Sequence, residues 1–349
     1  MVLGESLLTR KRYNFVDLLK GIGIILAVLG HFIEPFREFS LINSFFIAIY
    51  FFHMPLFCFL SGFVAKFKIK TILRMGFYYL FSQIIFLLFS YAPYLTGIKG
   101  FLKAIVIPFW HLWYLYAMIF WLISLFLIDI LTKKIPKCIV LSFFVLLALV
   151  SGYVGIIDKF ALTRVISFYP YFLAAYLYKD IILKTVSSFS KQKYNWVKRI
   201  SAMLFCAIII AIMFFADNVN PTMLWNYQSY SSGNYTLINR LVFYIVSSII
   251  VIAMVIVFYN SKSKIIEYIG KNTLFIFIFH AFIFWTLNYL AVFKILLEKQ
   301  NLVFILCFCI LCTIFCVAVF SFGPIYKFLN IFFDFPIKVL YRKNKNKER

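Results

Sequence analysis

Carboxylates are scarce in this sequence. Asp and Glu together number 12 against 35 Lys and Arg, and charged residues of every kind make up only 13% of the 349 positions. Histidine is scarcer still, with 4 copies. With so few carboxylates, histidines spread over separate apolar segments and no tight His–carboxylate spacing, no zinc signature can be assembled, and no metal is expected. The 7 cysteines are an odd number and all fall in apolar runs, which excludes a disulfide framework. The sequence "CFCILCTIFC" puts Cys309, Cys312 and Cys316 on one helix face. Cysteine there reads as a small apolar core residue rather than a ligand. Long polar stretches are missing too: the segments 92–109, 183–199 and 217–239 are too short for soluble domains and read as loops. No internal repeat is present, and the first apolar run lacks a small-residue cleavage site, so it reads as a retained helix and not a signal peptide.

Apolar surface fills the rest. Hydrophobic residues make up 64% of the chain and aromatic residues 21%, far beyond a soluble globule and characteristic of a polytopic membrane protein. A span needs about 20 mostly apolar residues. On that criterion about ten transmembrane helices are expected, at 14–35, 42–65, 72–91, 110–131, 138–157, 164–182, 200–216, 240–259, 272–291 and 302–322. The expected fold is an all-α helix bundle in the membrane, with a cytosolic N-terminal segment at 1–13, a membrane domain at 14–333 and a basic cytosolic tail at 334–349.

The net charge of +23 invites a nucleic-acid reading, but its distribution follows topology. With the N-terminus in the cytosol, 27 of the 35 Lys and Arg residues fall on the cytosolic side, leaving Arg37, Lys99, Lys103, Lys159, Arg164, Arg240, Lys294 and Lys299 outside. That is the positive-inside bias of a chain with both termini cytosolic, and no nucleic-acid partner is expected.

The ionisable residues inside the spans carry the chemistry. An ionisable side chain at membrane depth costs about 2.5–3.5 kcal/mol on insertion scales, so it faces protein or a water-filled cavity. The stretch "DLLKGIGIILAVLGHF" holds Asp17, Lys20 and His31. Lys20 and His31 are eleven positions apart, which places them about 20° apart around the helix and roughly 16 Å apart along it. Asp17, three residues before Lys20, is placed to form a structural ion pair with it. Two readings of this face stand: a lined polar interior, or a lysine snorkelling to headgroups beside a satisfied interior histidine. His53, His111 and His280 also lie in or at the edge of spans. Lipid contact never requires a group that exchanges protons near neutral pH, so four such residues argue for a polar cavity within the bundle.

The successive stretches "RYNFVDLLKGIGIILAVLGHF", "FFHMPLFCFLSGF", "HLWYLYA", "SFYPYFLAAYL" and "IGKNTLFIFIFH" resemble, in order, the motifs of the acyltransferase-3 family of integral-membrane O-acyltransferases, and look most like its fucose O-acetylase branch. The resemblance runs over about 14 to 290. It implies a basic residue with ten residues between it and a histidine needed for transfer, positions filled here by Lys20 and His31. The family's paired arginines at the start of the third span are represented by Arg74, with Thr71 three residues and Lys70 four residues before it.

Under that resemblance the expected reaction is acetyl transfer from acetyl-CoA to a sugar hydroxyl of a bacterial surface polysaccharide, by a multi-pass protein of the cytoplasmic membrane. The acceptor would be a lipid-linked or polymeric glycan. Acetyl-CoA is a donor substrate, and no cofactor is expected. Lys20, Lys66, Lys68, Lys70 and Arg74 would ring a cytosolic mouth for its phosphates, His31 would be the general base, and Glu34, one turn on, would orient its imidazole or be solvated at the helix end. His53, Ser61 and His111 would orient substrate or stabilise the oxyanion, or else make structural hydrogen bonds. The segment "DNVNPTMLWNYQSYSSGNYTLIN" suits sugar contact and equally suits an interfacial loop. The alternative function is a polysaccharide exporter of the same superfamily.

Overall fold

The computed structural model describes residues 12–90, 105, 107–155 and 161–347, all helix, turn or irregular chain, with no strand among them. Most of the expected N-terminal segment, the loop 92–109 up to residue 104, and Lys99, Lys103 and Lys159 lie outside the described residues. In lipid a helix satisfies every backbone group internally, and the apolar runs do so: α1 (Asn14–Ile33), α2 (Ser40–Val64), α3 (Ile69–Ser90), α4 (Trp113–Leu131), α5 (Lys137–Val150), α6 (Leu162–Leu177), α7 (Lys179–Phe189) and α8 (Asn195–Phe214). They are followed by α9 (Leu237–Phe258), α10 (Lys264–Lys271), α11 (Thr273–Tyr289), α12 (Val292–Glu298), α13 (Leu302–Ser321) and α14 (Gly323–Lys347).

Each of the ten expected segments falls on a helix, but the helices are unequal. Seven are long and apolar enough to cross a membrane, and an eighth results if α10 and α11, bent by 77° at Asn272, are counted as one span. The expected span at 138–157 is the shorter apolar helix of Lys137–Tyr153. The span expected at 164–182 breaks at Tyr178, whose backbone leaves the helical region, and α7 runs on into what the composition marks as loop. The boundary expected at 334 falls inside α14.

Helix α1 is the axis of the bundle and packs against α2, α10, α11 and α13. Its approach to α10 is unusually close. A Cβ on Gly270 would stand 1.7 Å from the Asp17 carbonyl oxygen, and one on Gly21 would stand 2.1 Å from that of Ile266. Only glycine permits this crossing, the small-residue packing that drives helix association where lipid removes the hydrophobic force. It seats α10 against the part of α1 that carries Lys20. An aromatic-rich core of α1, α2, α4, α6 and α9 surrounds Leu19, Ile24 and Val28, and a second cluster gathers Tyr78, Phe86, Phe275 and Phe333 between α3, α11 and α14.

Candidate active site

Two cavities meet along α1. One, of about 390 Å³ at the C-terminal end of α1, is lined by Glu34, Tyr50, Trp110, Arg164, Trp225 and Tyr227 among others. The other, of about 260 Å³, extends toward the N-terminal end and is lined by Lys20, Ser61, Lys66, Thr71, Tyr114 and His280 among others. Four residues line both: His31, His53, Met54 and Phe277. The eleven-residue spacing of Lys20 and His31 therefore does place both on one cavity wall, with His31 at the junction.

His31 sits in the last turn of α1. Its Nδ1 lies 2.9 Å from the Tyr50 hydroxyl, which lies 3.1 Å from Glu34 Oε2. The direct distance from Nδ1 to Glu34 Oε2 is 3.6 Å. A tyrosine has one proton to give, and the carboxylate can only accept. The consistent assignment is thus Nδ1–H donating to the Tyr50 oxygen and Tyr50 donating to Glu34. That arrangement leaves Nε2 as the basic nitrogen. Glu34 is thus linked to His31 through the Tyr50 hydroxyl.

Rings hold the imidazole in place. Trp110 approaches it at 4.4 Å and His280 stacks on it at 5.2 Å with planes 19° apart. Trp110 itself has φ of +27°, a left-handed conformation that costs about 1–3 kcal/mol in a non-glycine residue and persists only where packing over-determines it. Here the Phe284 ring stacks on it at 4.9 Å.

The remaining histidines are bound to backbone. His53 Nδ1 donates to the Ile49 carbonyl at 3.0 Å, and His280 Nδ1 to that of Ile276 at 3.1 Å. His111 Nε2 donates to the Ile278 carbonyl at 3.1 Å, tying the turn before α4 to α11. His53 thus borders both cavities and His111 the Arg164 cavity, while His280, which sequence reasoning left without a role, is in ring contact with both His31 and His111. Ser61 lies 2.6 Å from the Tyr114 hydroxyl in the Lys20 cavity.

Other expected residues stand elsewhere. Asp17 pairs with Arg12 at 2.6 Å, a partner that precedes the helix and lies five residues away rather than at the three-residue spacing of Lys20. Arg74 is not among the cavity-lining residues: it meets Asp334 at 2.8 Å and Asn330 at 3.0 Å, and Tyr78 joins the same cluster. It braces α3 against α14, a contact that no local spacing reveals because 260 residues separate the partners. Lys70 also lies off the lining, whereas Lys66, from the same basic run, is on it. Among the described residues no three His, Cys, Asp or Glu side chains converge in a way that would hold a metal ion. Cys309 donates its thiol to the Phe32 carbonyl, as a core residue does. The segment after α8 packs inward, bringing Leu224, Trp225 and Tyr227 onto the Arg164 cavity.

The described residues thus form a helical bundle with apolar membrane-length helices and with His31 at the meeting point of two cavities. The chain belongs to the acyltransferase-3 family: the family's model, described as an acyltransferase domain, matches residues 13–321. Among curated proteins it is similar to "Nodulation protein NolL" of Sinorhizobium fredii (strain NBRC 101917 / NGR234), with 27% identity over 246 residues, 64% of this chain. The chain spans 60% of that relative's length. No solved structure matches it.

Proposed function

We propose that this acyltransferase moves an acetyl group from acetyl-CoA to a sugar hydroxyl of a bacterial surface polysaccharide, with His31 as general base, in the cytoplasmic membrane. The observation that carries this reading is the position of His31 on both cavities. Lys20 and Lys66 give the one cavity cationic groups suited to the phosphates of a donor made in the cytosol, which is where the positive-inside bias puts that end of α1. The roughly 16 Å rise from Lys20 to His31 is of the same order as the pantetheine arm. The aromatic and polar lining of the other cavity suits a sugar.

In the reaction, Nε2 of His31 takes the proton of the sugar hydroxyl as its oxygen attacks the thioester carbonyl carbon. The tetrahedral adduct collapses with cleavage of the carbon–sulfur bond. The departing thiolate receives that proton from the imidazolium, so the ester and free CoA form and His31 returns to its starting state. Glu34, acting through Tyr50, favours the transient positive charge on the ring.

The test compares surface glycan from parent, deletion and point-variant strains by proton NMR, beside acetyl-CoA binding by the purified protein. His31→Ala is expected to remove the O-acetyl signal, with transfer down by about 10²–10⁴-fold, while glycan quantity and acetyl-CoA binding persist. Lys20→Ala is expected to weaken acetyl-CoA binding, and Lys20→Arg to retain it. Loss of surface glycan, with no acetyl group ever found on the parent glycan, would replace the enzyme by the exporter.

A further inference from the structure

The 390 Å³ cavity contains one cation among its lining residues, Arg164. Its surroundings are built. Arg164 Nε donates to the Trp225 carbonyl at 3.0 Å, and the guanidinium lies between two rings, 5.2 Å from Trp113 and 5.1 Å from Tyr227. These contacts fix the plane of the group and use one of its five donors. Neither terminal nitrogen has a hydrogen-bond partner among the described residues, and no carboxylate there comes within 4.0 Å. Glu34, the carboxylate on the same cavity, is engaged by Tyr50.

Arg240 shows the contrast. It is fully buried, and its terminal nitrogens are taken up by the Ala148 carbonyl, Ser151 and the Tyr235 hydroxyl. Arg240 uses its terminal nitrogens to tie the end of α5 to Tyr235 of the segment after α8, whereas Arg164 turns the same chemistry toward an open cavity. An arginine desolvated by protein with no internal counter-ion is costly, and a planar fork with both tips open matches a carboxylate or phosphate in bidentate fashion.

We propose that the Arg164 cavity selects an anionic acceptor, a sugar bearing a carboxylate or phosphate, which Arg164 grips while a neighbouring hydroxyl is presented to His31. This deepens the acyl-transfer reading and rests on it for the role of the bound sugar, but binding of the anion is measurable without transfer. The three tryptophans on the cavity, Trp110, Trp113 and Trp225, supply an intrinsic fluorescence signal.

Titration of the full chain in nanodiscs with methyl glucuronoside, glucose 1-phosphate and methyl glucoside separates the cases. At least one charged sugar is expected to bind about 30-fold or more tightly than the neutral one, and which of the two does so distinguishes a carboxylate from a phosphate acceptor. Arg164→Gln is expected to bring the charged sugar to the affinity of the neutral one, because truncating one partner of a desolvated charge pair costs that much or more. Arg164→Lys is expected to fall between. Unchanged acetyl-CoA binding by the variants shows that the bundle is intact. Equal or absent binding of charged and neutral sugars, or charged-sugar binding that survives Arg164→Gln, overturns the proposal. Failure of His31→Ala to abolish transfer would instead strike the acyl-transfer reading and leave the anion preference standing.

Discussion

Replacing Tyr50 by Phe removes a single oxygen, the one that joins His31 to Glu34. The ring contacts survive: Tyr50 stacks on Phe46 at 4.0 Å and meets His53 edge-on at 4.6 Å, and a phenyl ring keeps both. The loss comprises a neutral hydrogen bond at 2.9 Å and a charge-assisted one at 3.1 Å, worth about 1 and about 1.5–3 kcal/mol. Part of this returns, because Nδ1 and Glu34 Oε2 are already 3.6 Å apart and need close by only roughly 0.7 Å to bond directly. The net deficit is about 1.5–3 kcal/mol in holding the imidazole in its working tautomer, which translates to roughly a 10- to 150-fold fall in kcat. The Lys20 cavity is untouched, so KM for acetyl-CoA should hold. The assay is acetyl-CoA-dependent transfer by the protein in nanodiscs, with kcat and KM determined separately. Glu34→Gln and the double variant complete a cycle, and the two changes should be strongly non-additive because they break one relay. An undiminished kcat in Tyr50→Phe, a change confined to KM, or additive effects would refute the relay.

Two further outcomes test how the site is held. Gly270→Ala drives a methyl group into the Asp17 carbonyl; backbone cannot yield as a flexible side chain can, so a loss of about 3 kcal/mol or more is expected, read as a lower unfolding temperature in detergent. Arg74→Gln and Asp334→Asn should destabilise the protein by similar, coupled amounts, kept to about 1 kcal/mol by the 40% exposure of the Arg74 side chain. KM for acetyl-CoA should be unaltered in both, and a raised KM in Arg74→Gln with normal stability would return Arg74 to the donor site.

The Lys20–His31 face was legible from the residues because a helix converts spacing into direction without reference to anything outside it. Tyr50 was not. It is one of 23 tyrosines, and its position three residues before His53 gives no sign that it would meet a histidine on another helix. Trp110, Tyr114 and Arg164 were hidden for the same reason. Arg74 failed in the opposite direction: its placement near a basic run suggested phosphate, while the chain had already provided Asp334 from its far end. His280 is visible in the sequence as an intramembrane histidine, but its stacking on His31 depends on the angle at which α11 passes α1.

Composition and apolar run length were enough to specify an all-α membrane protein, since lipid offers unpaired backbone groups no partner and leaves helices as the local solution. They were not enough to specify how many helices span, because a break such as Tyr178 or a bend such as that at Asn272 depends on what the helix packs against. Which polar groups converge, and which are consumed as braces, was decided when the helices packed. An ionisable group in a low-dielectric interior takes the nearest partner that tertiary contact supplies, and sequence distance places no limit on where that partner comes from.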